Sequence, residues 1–182
     1  MNHAILLLER LAALIHQAVR EDAVRLGLLP VHMQILAYLG QANRYSDLPI
    51  AIAQYLGITR GTVSQSLAVL ARKGLIRKQK DPRHGRRVHL HLTTAGQRLL
   101  TVGWSARLAQ AMREAGVEEE ALAEALRDLL TALQRLNGQR AFGVCRQCAH
   151  FLSSADGWRC ALTREPLQAD QTQRICRDWT VA

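Results

Sequence analysis

Apolar residues recur at helical spacing from the start of the chain. Ile5, Leu8, Leu11, Leu14, Ile15, Ala18 and Val19 share one face and predict a long amphipathic helix over 3–26. Gly27 to Pro30 end it, because proline cannot continue a helix and glycine tolerates the exit geometry. A second helix is predicted over 31–40, with Met33, Leu36 and Ala37 facing inward. After a polar loop at 43–46, residues 47–55 read as a short helix burying Ile50, Ile52, Ala53 and Leu56. Gly57 and Ile58 turn the chain, and the Thr59 hydroxyl suits the N-cap of a helix over 60–72. That helix turns Val63, Leu67, Val69 and Leu70 inward, and Gly74 caps it.

Alternation then replaces the helical period. Residues 75–80 and 88–92 predict two strands, joined by the turn-rich tip 81–86. Thr93 or Thr94 caps a long helix to about Ala115, which Gly116 breaks. Glu118 to Glu120 open the last helix, where their charge suits the positive helix N-terminus. It runs to Leu136 with Leu122, Leu126, Leu129, Leu130 and Leu133 on one side, and Asn137-Gly138 end it. Helix, turn, helix and hairpin make a winged helix-turn-helix. The expected fold is therefore mainly α (α+β), a winged helix-turn-helix flanked by long helices. From Phe142 onward the composition shifts: both Phe, two of the three Trp and all four Cys fall there. Two parts are expected, a DNA-binding and dimerisation domain over 1–140 and a small metal-binding module over 141–182.

The net charge of +9 points to a polyanionic partner. Its placement narrows the choice: residues 41–92 hold ten Lys or Arg and two acids, so nearly all the excess lies in the helix-turn-helix and hairpin. Double-stranded DNA is the expected partner. A recognition helix presents its N-terminal turns to base edges, so Arg60, Thr62, Ser64 and Gln65 are the candidate readers. Arg83 and Arg86 at the hairpin tip suit the minor groove, with Arg87 near the backbone. Arg72, Lys73, Arg77, Lys78 and Lys80 would add phosphate contacts, which fix register rather than sequence. Asp81 is expected to order the tip, through a wing arginine or backbone N–H groups.

The run LGITRGTVSQSLAVLARKGLIRKQKDPRHGRRVHLHLTTAGQRLL, residues 56–100, resembles the MarR family of bacterial regulators. Its recognition helix is followed by L-x-x-K-G-L-I. A wing with Asp81, Arg83 and Arg86 comes next, and then Leu92, Thr93 and Gly96 in the pattern L-T-x-x-G. The resemblance spans residues 4–138 in helix order. It implies an obligate homodimer built from the N-terminal helix and the last two long helices, a pseudo-palindromic operator and a repressor's role. Small aromatic ligands often bind this family between its dimer and DNA-binding regions; the effector here stays open. The two outer helices are too apolar on one face to stand alone, which agrees with a dimer.

Cys145-x-x-Cys148, Cys160 and Cys176 are separated by 2, 11 and 15 residues. A C-x-x-C turn aims two thiolates at one point, and four thiolates suit tetrahedral Zn²⁺ or an iron–sulfur cluster. The second C-x-x-C of a zinc ribbon is missing, so both metals stay open, as does a disulfide or a free-thiol role. So short a segment buries too little apolar area to fold alone, and a metal would supply the difference. Phe142, Phe151, Trp158 and Trp179 are expected to pack around it. His150 suits a hydrogen-bond partner better than a ligand.

His3, His16, His32, His84, His89 and His91 form no metal pattern; His89 and His91 are expected to face solvent or phosphate. Met33 and Met112 suit core or dimer packing. Ser64 has no acid or base at useful spacing, so an enzyme is not expected. A redox protein or electron carrier built on the cysteines is the alternative. The apolar run Ile5–Leu8 is broken by Glu9 and Arg10, too short for a signal core or a membrane span, so a cytoplasmic protein is expected. Four cysteines in a reducing compartment favour metal over disulfides.

Overall fold

The computed structural model describes residues 2–82, 85–155 and 157–181. Seven helices and a hairpin come first: α1 (His3–Arg25), α2 (Pro30–Gln41), α3 (Pro49–Leu56), α4 (Arg60–Arg72), β1 (Ile76–Lys80), β2 (Val88–Leu92), α5 (Thr94–Thr101), α6 (Trp104–Glu114) and α7 (Glu119–Leu136). A smaller unit follows, with β3 (Gly143–Val144), a 3-10 turn at Cys145–Gln147, β4 (Phe151–Ser154), β5 (Gly157–Cys160), β6 (Pro166–Leu167), α8 (Ala169–Thr172) and β7 (Ile175–Cys176). Strands β1 and β2 pair antiparallel, Ile76 opposite Leu92 and Lys80 opposite Val88. In the C-terminal unit β3 pairs with β7, and β4, β5 and β6 form a three-stranded sheet.

The main core gathers where α2, α3, α4 and the hairpin meet. Ile35, Leu36, Ile52, Val63, Leu67, Leu70 and Leu90 are fully buried there. On α4 the spacing of Val63, Leu67 and Leu70 turns one face inward and leaves Arg60, Thr62, Ser64 and Gln65 outside. Thr59 caps that helix as its sequence predicts, accepting from the Thr62 backbone N–H at 3.1 Å. Thr93 does two jobs: its hydroxyl accepts from the Gly96 N–H at 3.1 Å and donates to the Gly74 carbonyl at 2.7 Å. Any side chain at Gly96 would collide with the Leu75 carbonyl. The L-T-x-x-G pattern therefore seats the N-terminus of α5 directly against the end of α4.

The single helix expected from Thr93 to Ala115 is two helices, broken at Val102 and Gly103. A buried carboxylate causes the break. Asp22 of α1, 3% exposed, accepts the Trp104 backbone N–H at 2.7 Å and also binds Arg107 and Arg25. It acts as an N-cap for α6 supplied from another helix. Neither α6 nor α7 buries a residue fully.

Candidate nucleic-acid interface and cysteine cavity

Helices α3 and α4 form the helix-turn-helix, and the β1–β2 hairpin stands beside α4. Arg60, Thr62, Ser64, Gln65, Arg72, Lys73, Arg77, Lys78, Lys80, Arg86 and Arg87 are all exposed. Thr62 shares a 2.9 Å hydroxyl contact with Thr59, which holds it against the cap. Lys73 folds back toward the α1–α2 turn, where its charge bears on His32. Arg83, assigned to the minor groove from the sequence, lies outside the described residues, as does His84. No single helix among the described residues is long and apolar enough to cross a membrane.

His89 corrects one expectation. It does not face solvent or phosphate. Its Nδ1 lies 2.6 Å from an Asp47 carboxylate oxygen and its Nε2 lies 3.3 Å from Asp81. Burial pushes the imidazole pKa down, but the Asp47 bond and then Asp81 outweigh it and hold the pKa above the usual histidine range. Asp81 thus orders the root of the wing through His89, and its N–H donates to the Arg87 carbonyl at 3.0 Å. His32 behaves oppositely. Its Nδ1 accepts from the Leu29 N–H at 3.1 Å, and burial, followed by the Lys73 charge, lowers its pKa.

The four cysteines are free thiols and line one small cavity of about 20 Å³, with His150, Phe151 and Asp178 also on its wall. Among the described residues no three His, Cys, Asp or Glu side chains stand ready to hold a metal ion, so the sulfurs share the cavity without converging on one point. Burial, then the neighbouring Cys176, Cys160 and Cys148, push the Cys145 thiol up to about 11. Thr180 donates its N–H toward the Cys148 sulfur at 3.4 Å, and its hydroxyl meets His150 Nε2 at 3.3 Å. Phe151 and Trp179 pack around the cysteines, as expected. Trp179 lies flat against Gly143, where a Cβ would strike its indole, and donates Nε1–H to the Gln147 carbonyl at 2.9 Å. The other two aromatics differ from expectation. Trp158 is exposed, and Phe142 joins the main core edge-on to Tyr38 and Tyr55 because those rings offer it a deeper apolar site.

The position of this cavity was not foreseen. The unit that carries it docks on the α2–α3 loop. Ala42 bridges Ile175, the Asn43 N–H donates to the Ile175 carbonyl at 3.0 Å, and the Arg177 N–H donates to the Ser46 hydroxyl at 2.8 Å. Arg44, one of the ten basic residues of 41–92, donates to Glu165 at 3.1 Å and to the Pro166 carbonyl at 2.8 Å. Asn43 and Ser46 looked like ordinary loop residues, yet both are fully buried.

The family description that matches residues 26–87 is the MarR family. Comparison with curated proteins gives no match. Among solved structures, S. aureus MepR in its DNA-binding conformation shares 23% identity at a TM-score of 0.60, covering 74% of this chain and 99% of its own. The S. aureus MepR–DNA complex shares 22% at 0.53, over 74% and 98%. CouR from Rhodococcus jostii RHA1, bound to p-coumaroyl-CoA, shares 21% at 0.56, over 72% and 92%. These likenesses establish a MarR-like winged-helix fold for about three-quarters of the chain.

Proposed function

We propose that this chain is a MarR-type transcriptional regulator, not an enzyme, that binds a pseudo-palindromic DNA operator as a homodimer and represses from it. The observation that carries the reading is the exposed row Arg60, Thr62, Ser64 and Gln65 on α4, beside a hairpin presenting Arg77, Lys78, Lys80, Arg86 and Arg87. Helix and hairpin suit adjacent major and minor grooves, with the basic strand residues on phosphates. The likeness to the MepR–DNA complex supports the same use of the fold.

A dimer is supported by what one copy leaves uncovered. Ile5, Leu8, Leu11 and Leu14 on α1 and Leu126, Leu129, Leu130 and Leu133 on α7 are each more than a third exposed, on helices whose other face is polar. A cleft of about 900 Å³ beside Val19, Arg20, Tyr38, Tyr55 and Trp104 is of a size to hold a small-molecule effector.

The four-cysteine cavity is read as a site for one metal ion held by Cys145, Cys148, Cys160 and Cys176. Its volume of about 20 Å³ has room for roughly one water-sized sphere. That favours a single zinc ion over an iron–sulfur cluster, with the thiols rotating inward to bind it. A redox or electron-carrier role would leave the basic reading face without a use.

Selection of duplexes from a random library by the full-length protein, followed by footprinting, tests the DNA reading. Two-fold-related protected half-sites one helical turn apart are expected, with affinity falling steeply as salt rises. Salt-independent binding, or protection without two-fold symmetry, would overturn it.

A further inference from the structure

The cysteine unit and the wing are joined by hydrogen bonds through the α2–α3 loop. At the cavity end, the residue before Cys176 is tied to the loop: Ala42 bridges Ile175, and the Asn43 N–H donates to the Ile175 carbonyl at 3.0 Å. Asn43 is 1% exposed, and its Nδ2 completes no conventional hydrogen bond among the described residues. A buried amide donor without a partner is costly.

The rest of Asn43 organises the loop. Its Oδ1 accepts from the Ser46 hydroxyl at 2.7 Å and the Tyr45 N–H at 3.1 Å. Its backbone carbonyl accepts from the Ser46 and Asp47 N–H groups, at 2.9 and 3.1 Å. Asp47 then holds the wing twice. Its carbonyl accepts from the Leu90 N–H at 2.9 Å, and its carboxylate grips His89, which reaches Asp81 at the hairpin root. Arg177, next to Cys176 in sequence, fixes Ser46 from the other side.

We propose that metal occupancy of the four-cysteine site sets the position of the DNA-reading wing, through Asn43 and the loop it organises to Asp47 and His89. The inference rests on the single-ion reading of the cavity. Thiolates drawn together on a cation fix β7, and with it the Ile175 and Arg177 bonds that hold Asn43 and Ser46. Emptied, the site frees β7, and the loop and wing relax. Asn43 is a positioning residue here; it touches neither DNA nor the ion. Linkage makes the effect reciprocal, so duplex DNA should also tighten metal binding by the same factor.

The test uses the full-length protein, Zn²⁺ as the probe and a duplex that the zinc-loaded protein selects from a random library. Metal content is measured first, then DNA affinity with and without a chelator, and hydrogen exchange over 42–56, 76–92 and 119–136. The expected results are one zinc per chain, at least about a fivefold loss of DNA affinity on chelation, and faster exchange over 42–56 and 76–92 with 119–136 unchanged. Ser46→Ala and Asn43→Ala should still bind zinc but bring the loaded-to-stripped affinity ratio toward one. Should Asn43→Ala fail to fold, Ser46→Ala and the wild-type exchange data carry the test. One zinc per chain with equal DNA affinity and equal wing exchange in both states overturns the coupling and leaves the metal site standing. No zinc retained after loading overturns the site, and the coupling with it.

Discussion

Asp22 of α1 accepts the backbone N–H of Trp104, 82 residues further along the chain, at 2.7 Å. One carboxylate on α1 thereby caps the start of α6, with Arg25 and Arg107 supplying its counter-charge. Burial opposes the charged form, but the Arg25 bond, the Trp104 N–H and Arg107 together hold its pKa below the usual carboxylate value. A carboxyl whose pKa is lowered on folding stabilises the fold above its unfolded pKa, near 3.8, and loses that contribution as pH falls through the lower folded value. Asp22→Asn should therefore cost about 1–3 kcal/mol at pH 7 and lose much of the wild type's acid dependence between pH 5 and 2. Denaturant midpoints across that range decide it; a variant as acid-sensitive as wild type would refute the role.

Two histidines should titrate against each other. His89, with its pKa raised by Asp47 and Asp81, contributes stability that is complete below about pH 6.5 and is lost as pH rises through its higher folded value. His32, with its pKa lowered by burial, contributes in the opposite sense: acidification through pH 6.5 toward its lower folded value costs stability. Replacing His89 with Gln should remove the alkaline-side loss, and replacing His32 with Gln should shrink the acid-side loss, which His91, its pKa also lowered by burial, shares. Melting temperatures from pH 5 to 8.5 would separate the two, and identical profiles would dismiss both assignments.

Base readers and phosphate binders should respond differently to truncation. Arg60→Ala or Gln65→Ala should cost about 1–3 kcal/mol on the selected duplex and little on unrelated DNA. Lys78→Ala should weaken both alike and reduce the slope of log affinity against log salt by about one. Fluorescence anisotropy across a salt series checks this. Uniform loss for Arg60 would move it to the phosphate group.

The apolar stripe on α7 predicts an assembly defect. Leu130→Glu places a charge on a face that one copy leaves exposed, so the subunit should fold yet sediment as a monomer. A dimer of unchanged strength by analytical ultracentrifugation would exclude α7 from the interface.

How much of this was legible in the chain can be traced residue by residue. The recognition helix was, because Val63, Leu67 and Leu70 repeat at helical spacing and Thr59 is a cap whose chemistry is local. The hairpin was, because alternation and a turn-rich tip are also local signals. The break at Gly103 was hidden, since the group that makes it is Asp22, on a distant helix. His89 read as an exposed strand residue for the same reason: its partners come from a loop and a hairpin root. The four thiols could be grouped by spacing. Their seat against Asn43 and Ser46 could not, because a short polar loop looks alike whether buried or solvated.

Phe142 packs edge-on against Tyr38 and Tyr55 while its neighbours Gly143 and Val144 already pair with the cysteine unit. A cut between α7 and Phe142 would therefore not release the tail: the two fragments would remain a noncovalent complex, reconstituting from separate pieces what the intact chain holds together. Melted, such a complex should come apart in one concentration-dependent step, since a ring of the tail fragment completes the core of the other.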